Sequence, residues 1–456
     1  MDQKTTDLSQ GSVGRLLFRL ALPTITSQIV NMLYNLVDRV YIGHMQPVDT
    51  VGALALTGLG VCLPLIMVVS AFAALMAMGG APRASIQEGR GDLAGAERIM
   101  GNCFTLLLCT SLVLTVLFQA LAEPLLLTFG ASANTIGYAL DYLRIYTLGT
   151  LFVQVTLGMN AFITAQGFTT VSMRTVLIGA GLNIVLDPVF IFVLNMGVRG
   201  AALATILSQA VSAAWVLRFL TGGRSKWRLR RENLRPQPKV FLPCIALGLA
   251  PFIMQSTESL IAVCFNSSLL KYGGDQAVCA MTVLISLMQF VMMPLQGLTQ
   301  GAQPIVSFNY GARNARRVRA AYRCLLRCCV VYSMTMWTLA QLFPRVFVSI
   351  FNSDPALIDY AAWALRIYMG ATGIFGVQIA CQQTFIALGN AKASLFLAIL
   401  RKIILLVPLI YILPHFFADK VFAVFLAEPV ADLLAVCTTA AMFFFQFRKT
   451  MAELEK

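Results

Sequence analysis

Long apolar blocks separated by short polar stretches run the length of this chain, and no other feature narrows its fold as much. A helix needs about 20 such residues to cross the ~30 Å of hydrocarbon in a bilayer. Twelve blocks are read, at 15–43, 53–78, 99–122, 137–163, 172–195, 200–221, 239–270, 277–303, 321–344, 357–381, 385–413 and 419–447. Composition agrees: 58% of residues are hydrophobic and 12% are charged, against about 25% charged in an ordinary soluble chain. The first block follows a polar start from Met1 to Gly14, exceeds a signal-peptide core in length and lacks a small-residue cleavage site behind it. It is therefore expected to stay as a helix.

The formal charge of +14 raises the question of a nucleic-acid partner, and the placement of the basic residues answers it. With both termini cytoplasmic, the inner side collects 27 of the 34 Arg and Lys, from 1–19, 83–98, Arg174, 218–239, 313–327, 392–402 and 448–456. Such a bias is what the positive-inside rule requires of an even number of spans. It predicts a multi-pass protein of the bacterial cytoplasmic (inner) membrane, with the lipid bilayer and not nucleic acid as its surroundings. The 11 cysteines are scattered, and those inside blocks, such as Cys62, Cys109, Cys264 and Cys437, read as small hydrophobes. Cys324, Cys328 and Cys329 cluster, but Arg323 and Arg327 stand among them and no His is near, so no metal site is expected there.

An internal duplication organises the blocks. A shift of 222 residues lays YALDYLRIY (Tyr138 to Tyr146) over YAAWALRIY (Tyr360 to Tyr368), and Gly79 over Gly301, Pro82 over Pro304, Gly89 over Gly311 and Gly167 over Gly389. The fold class that follows is an all-α membrane protein of twelve transmembrane helices in two pseudo-symmetric six-helix bundles, 1–222 and 239–456, joined by a basic cytoplasmic linker at 223–238. Copies with an even number of spans enter from the same side and are parallel repeats, an arrangement of secondary transporters. No P-loop, HExxH or GxSxG run is present. The chain reads as no enzyme, without a cofactor, and transport would draw on an ion gradient.

An Asp at a helix centre costs roughly 2.5–3.5 kcal/mol on insertion scales, so embedded acids are functional candidates. They are Asp38, Asp187, Glu258, Glu428 and Asp432. At 1.5 Å of rise per residue, Asp38, Asp187 and Thr205 share one level in the outer half. Asn183 lies one turn from Asp187 and Ala201 one turn from Thr205, each pair on one helix face. Pro188 frees the carbonyl of Ile184 beside these groups, and Pro23 is expected to kink the first helix by freeing that of Arg19. The second copy lacks this polar nest: Asp187 aligns with Leu409, Asn183 with Leu405 and Thr205 with Ala427, and, with Pro23 anchored on Pro251, Asp38 aligns with Asn266. A cluster that the fold does not require points to ion handling, with proton and cation competing for the same oxygens.

The segments LYNLVD (Leu33 to Asp38), NIVLDPVFIF (Asn183 to Phe192), GAALAT (Gly200 to Thr205) and GRGD (Gly89 to Asp92) resemble those of the multidrug and toxic compound extrusion (MATE) family. The run NMGVRGAALATILSQ is most similar to its MepA-like branch. The resemblance implies a V-shaped pair of lobes alternating between outward-open and inward-open states, exporting organic cations against H⁺ or Na⁺, as a monomer. It implies a cation or proton site at Asp38, Asn183, Asp187, Thr205 and the backbone of Ala201, with Na⁺ there the sole metal. It further implies drug contacts at Asn31, Tyr34, Asn160, Gln209 and Glu258. The NorM-like branch pairs two acids on helices seven and ten; Glu258 stands for the first, and no acid lies in Ala371 to Thr384 for the second. Glu258, Glu428 and Asp432 either attract cationic drugs or bond neighbouring helices.

The competing reading is a lipid-linked precursor or oligosaccharide flippase of the same superfamily. Phosphate-bearing substrates call for Arg and Lys facing a cavity, whereas the embedded titratable residues here are mostly acids. Topology is directly testable: reporter fusions after Lys226 and Lys456 should both report cytoplasm and one after His415 the outside. Matching sides for Lys226 and His415 would sink the twelve-helix map.

Overall fold

The computed structural model describes residues 7–45, 51–351 and 354–455, and no strand occurs among them. The first half contains α1 (Val13–Gly43), α2 (Ala53–Gly89), α3 (Leu93–Thr128), α4 (Ile136–Leu148), α5 (Thr150–Ala165), α6 (Thr169–Pro188) and α7 (Gly197–Thr221). The second contains α8 (Pro238–Gly311), α9 (Ala315–Leu342), α10 (Pro344–Ser349), α11 (Pro355–Tyr368), α12 (Thr372–Ala387), α13 (Ala391–Ile399), α14 (Val407–Ile412) and α15 (Lys420–Leu454). Among the described residues nine helices are long and apolar enough to span a bilayer, and two bent pairs bring the number to eleven. The 74-residue α8 breaks at Gly274, whose φ of 65° suits a residue without Cβ, into two arms of spanning length. Twelve spans result.

The bent pairs fall where the sequence expects single spans. α4 and α5 meet at 57°, α11 and α12 at 49°. A bend in hydrocarbon exposes carbonyls that water cannot reach, so protein groups must take them. In the first half Gln119 Nε2 donates to the Arg144 carbonyl at 2.7 Å and Thr115 Oγ1 to that of Thr147 at 2.9 Å. In the second, Gln341 Nε2 donates to the Arg366 carbonyl at 2.9 Å and Trp337 Nε1 to that of Gly370 at 3.0 Å. Gln119 and Gln341 are duplicated positions, as are Thr115 and Trp337. The donors come from α3 and α9, and the same solution serves both copies.

Contacts divide the chain into two compact units. One holds Thr26–Phe252 with the described residues before Ser9; the other holds Ser9–Ile25 and Ile253–Lys456. The divisions thus fall inside α1 and α8, close to Pro23 and Pro251, and not at the linker. The duplicated glycines explain the attachment. In the first unit a Cβ on Gly79 would fall on the Cys244 carbonyl, at the start of α8. In the second, one on Gly301 would fall on the backbone of Ala21, at the start of α1. Pro23, where the sequence expects a kink, lies inside α1, two residues from the division at Ile25. Thr24, next to it, donates to the Gly297 carbonyl at 2.6 Å.

The basic linker belongs to the first unit and packs on it. Gln166 Oε1 accepts from Ser225 Oγ at 2.9 Å and from the amides of Lys226 and Trp227 at 2.8 and 3.2 Å. Trp227 is fully buried. Lys226 pairs with Glu88 at 3.1 Å and Arg230 with Glu97 at 3.2 Å. This stretch buries an aromatic ring and keeps two of its cationic ends paired.

Close approach at Gly79 and Gly301 leaves no room for a methyl group. Gly79→Ala and Gly301→Ala should each destabilise the purified protein by the 1–3 kcal/mol roughly typical of overpacking, read as a lower thermal unfolding midpoint. Gly60→Ala, whose Cβ would meet nothing within 4 Å, should leave it level or raise it.

Candidate cation site

Asn183 and Asp187 sit one turn apart on α6, and both are buried. The helix ends at Pro188 and passes into a π-turn at Val189–Val193, because proline supplies no amide hydrogen for the regular ladder. Asn183 Nδ2 donates to Asp187 Oδ1 at 3.2 Å and to Thr205 Oγ1 on α7 at 3.4 Å. Thr205 Oγ1 in turn donates to the Ala201 carbonyl at 3.0 Å. One amide therefore orients a carboxylate and a hydroxyl from two helices.

Asp38, from α1, brings its carboxyl within hydrogen-bonding reach of Asp187. Three buried oxygens in this cluster have no partner: Asp38 Oδ1, Asp187 Oδ2 and Asn183 Oδ1. An unpaired buried acceptor costs about 1–3 kcal/mol. Three together, two of them on acids, make a set of oxygens suited to a proton or a small cation, and the Ala201 carbonyl stands one hydrogen bond away. Tyr34 lies near both carboxyls.

Tyr142 was not foreseen. Its phenol lies beside Thr205 and near Asp38, and its ring stacks on Tyr146 with centroids 5.9 Å apart. The signal was present, since Tyr142 belongs to the duplicated YALDYLRIY run and is replaced by Ala364 in the second copy. It is the one aromatic of that run lost where the acids are lost.

The remaining expected contacts do not all converge. Asn160 Nδ2 donates to the Ser172 carbonyl at 3.3 Å, and the Gln209 carbonyl accepts from Thr156 at 3.2 Å, one turn from Asn160. Both Asn160 Oδ1 and Gln209 Oε1 are buried and unpartnered. Asn31 accepts through its carbonyl from Asn35 at 2.8 Å. Glu258 belongs to the second unit.

That unit holds a different cluster. Arg401 Nε donates to Asp432 at 2.7 Å, its Nη2 to Glu428 at 3.1 Å, and Lys402 Nζ to Glu258 at 2.7 Å. Arg401 and Lys402 are buried in a π-turn, Leu400–Leu406, and are not loop residues of the inner side. The sequence reading grouped them with Lys392; their position in the middle of the 385–413 block was the overlooked signal. Glu428 and Asp432 thus bond a neighbouring helix.

A family profile described as MatE matches residues 23–189 and 251–412, one segment in each half. Among curated relatives, the multidrug export protein MepA of Staphylococcus haemolyticus is 23% identical over 95% of both chains. The protein of the same name from Staphylococcus aureus (strain NCTC 8325 / PS 47) is 21% identical over 95% of both. Among solved structures, a MATE transporter in the bent conformation superposes with a TM-score of 0.92 at 22% identity, covering 99% of this chain and all of that one. An outward-facing multidrug resistance MATE transporter of the MOP superfamily gives 0.90 at 23% identity over the whole of both chains. The chain belongs to the multidrug and toxic compound extrusion (MATE) family, whose members are membrane transporters and not enzymes.

Proposed function

We propose that this protein exports organic cations from the cell by alternating access, exchanging them for H⁺ or Na⁺ at the carboxylates of Asp38 and Asp187. The observation that carries the reading is that Asp38 and Asp187 lie within hydrogen-bonding reach of each other, beside Asn183, with one buried oxygen on each of the three left unpartnered. Asn183, Thr205 and Tyr142 hold their geometry, and relatives across nearly the whole chain are named for multidrug export. In this reading both termini face the cytoplasm of a bacterial cell, and one chain suffices for transport.

The physical link is competition. Two carboxyls at one depth in a low-dielectric bundle repel when both are ionised, and a proton or cation between them removes the repulsion. An ion shifts a conformational equilibrium only through differential affinity for the two states. Asp38 stands on α1 and Asp187 on α6, so an occupant that ties them together favours a different α1 arrangement from one that leaves them apart. The flippase reading gains nothing from the embedded cations, because Arg401 and Lys402 are already paired with carboxylates.

Efflux of a fluorescent organic cation from everted vesicles, with proton and sodium gradients imposed separately, tests the reading. Asp38→Asn and Asp187→Asn should each lower the gradient-driven rate more than about tenfold, a loss of ~1.4 kcal/mol of coupling at least, at unchanged protein level. Asn183→Ala should fall between these and the unaltered protein. Wild-type rates in Asp187→Asn would overturn the assignment of the site.

A further inference from the structure

We propose that Lys402 is a tethered competitor for the organic cation at Glu258, occupying that carboxylate when no ligand is bound, and that the charge cluster around the pair limits the ligand to a single positive charge. This rests on the export reading and narrows it to a place and a ligand charge. Five ionisable groups meet there: Glu258 from α8, Arg401 and Lys402 from the π-turn, and Glu428 and Asp432 from α15. α11 contributes the phenol of Tyr368 and α12 the ring of Phe375. Three carboxylates face two cations, so the cluster is one positive charge short. A buried charge without a partner is costly, and the shortfall fits a monovalent cation where a dication would overshoot.

The two resident cations are held unequally. Arg401 is gripped by two buried carboxylates and its guanidinium lies 4.4 Å from the centre of the Phe375 ring. Lys402 makes its ion pair with Glu258 alone. Its own side chain is 7% exposed, whereas that of Glu258 is 53% exposed. Glu258 is therefore the carboxylate a ligand reaches first, and the ammonium on it must leave. A destination exists: Glu428 Oε2 is buried without a hydrogen-bond partner, and Glu428 lies within the electrostatic reach of Lys402. Lys402 has a flexible four-carbon stem and three donors. Moving it from Glu258 to Glu428 satisfies the orphan oxygen, frees the exposed carboxylate and leaves the liganded cluster neutral.

Ethidium, a permanent monocation, is the probe, with binding to the purified full-length protein followed by fluorescence anisotropy. Removing the competitor in Lys402→Ala should tighten binding roughly tenfold, the effect of losing one charge-assisted hydrogen bond. Lys402→Gln, which keeps length and a donor, should tighten it in the same direction and stands in should the alanine variant fail to fold. Glu258→Gln should weaken binding, and adding it to Lys402→Gln should abolish the gain. In the unaltered protein, saturating ethidium should slow acylation of Lys402 by an amine-reactive reagent. Lys402 variants that bind no more tightly, or acylation indifferent to ethidium, would overturn the proposal. Wild-type protein that shows this competition yet couples efflux to neither gradient would sink the exchange reading while supporting this site.

Discussion

Hydrocarbon offers the backbone no water, and this structure is arranged around that fact. Straight helices satisfy the constraint by themselves, but a transporter needs bends, and each bend frees carbonyls. Here the two sharp bends are placed at the same point of each repeat and supplied with donors from α3 and α9, by Gln119 and Thr115 in one copy and Gln341 and Trp337 in the other. The pair Thr115 and Trp337 shows that the donor matters and the side-chain shape does not. The main-chain carbonyls of Arg144 and Arg366 are what these donors take, and the Arg366 Nε donates back to the Gln341 carbonyl at 3.2 Å.

The same economy governs the ionisable groups, with opposite outcomes in the two halves. In the second unit each embedded acid is opposed by a cation, and Arg401 is tied to two of them. In the first unit Asp38 and Asp187 form no ion pair among the described residues, and an amide and a hydroxyl orient the site. Duplication supplied one scaffold, and the halves diverged into a cluster whose carboxyls are not ion-paired and one with three carboxyls on two cations. Both shortfalls are of the sign that a protein handling cations requires.

Much of this was legible in the sequence because hydrophobic length and repetition are local properties. The twelve spans follow from block lengths and the two halves from a fixed shift of 222 residues. The spacing of Asn183 from Asp187 and of Ala201 from Thr205 sets each pair on one face, since a helix turn is about 3.6 residues. Short connection of α6 to α7 then brings the two faces together. These residues were found because their neighbours in space are also their neighbours in sequence, or nearly so.

Tertiary packing decided what spacing could not. Tyr142 joins the site because α4 packs on α7, and its replacement by Ala364 in the second copy takes on meaning only from that packing. Arg401 and Lys402 look like loop cations until α15 sets Glu428 and Asp432 against one and α8 sets Glu258 against the other, distances of 27, 31 and 144 residues along the chain. The linker is polar and cationic in sequence, yet Gln166 gathers three of its donors and Trp227 enters the core. The divisions inside α1 and α8 depend on glycines that admit a backbone from far along the chain. Periodicity records which face a residue is on; which partner covers that face is a property of the folded molecule alone.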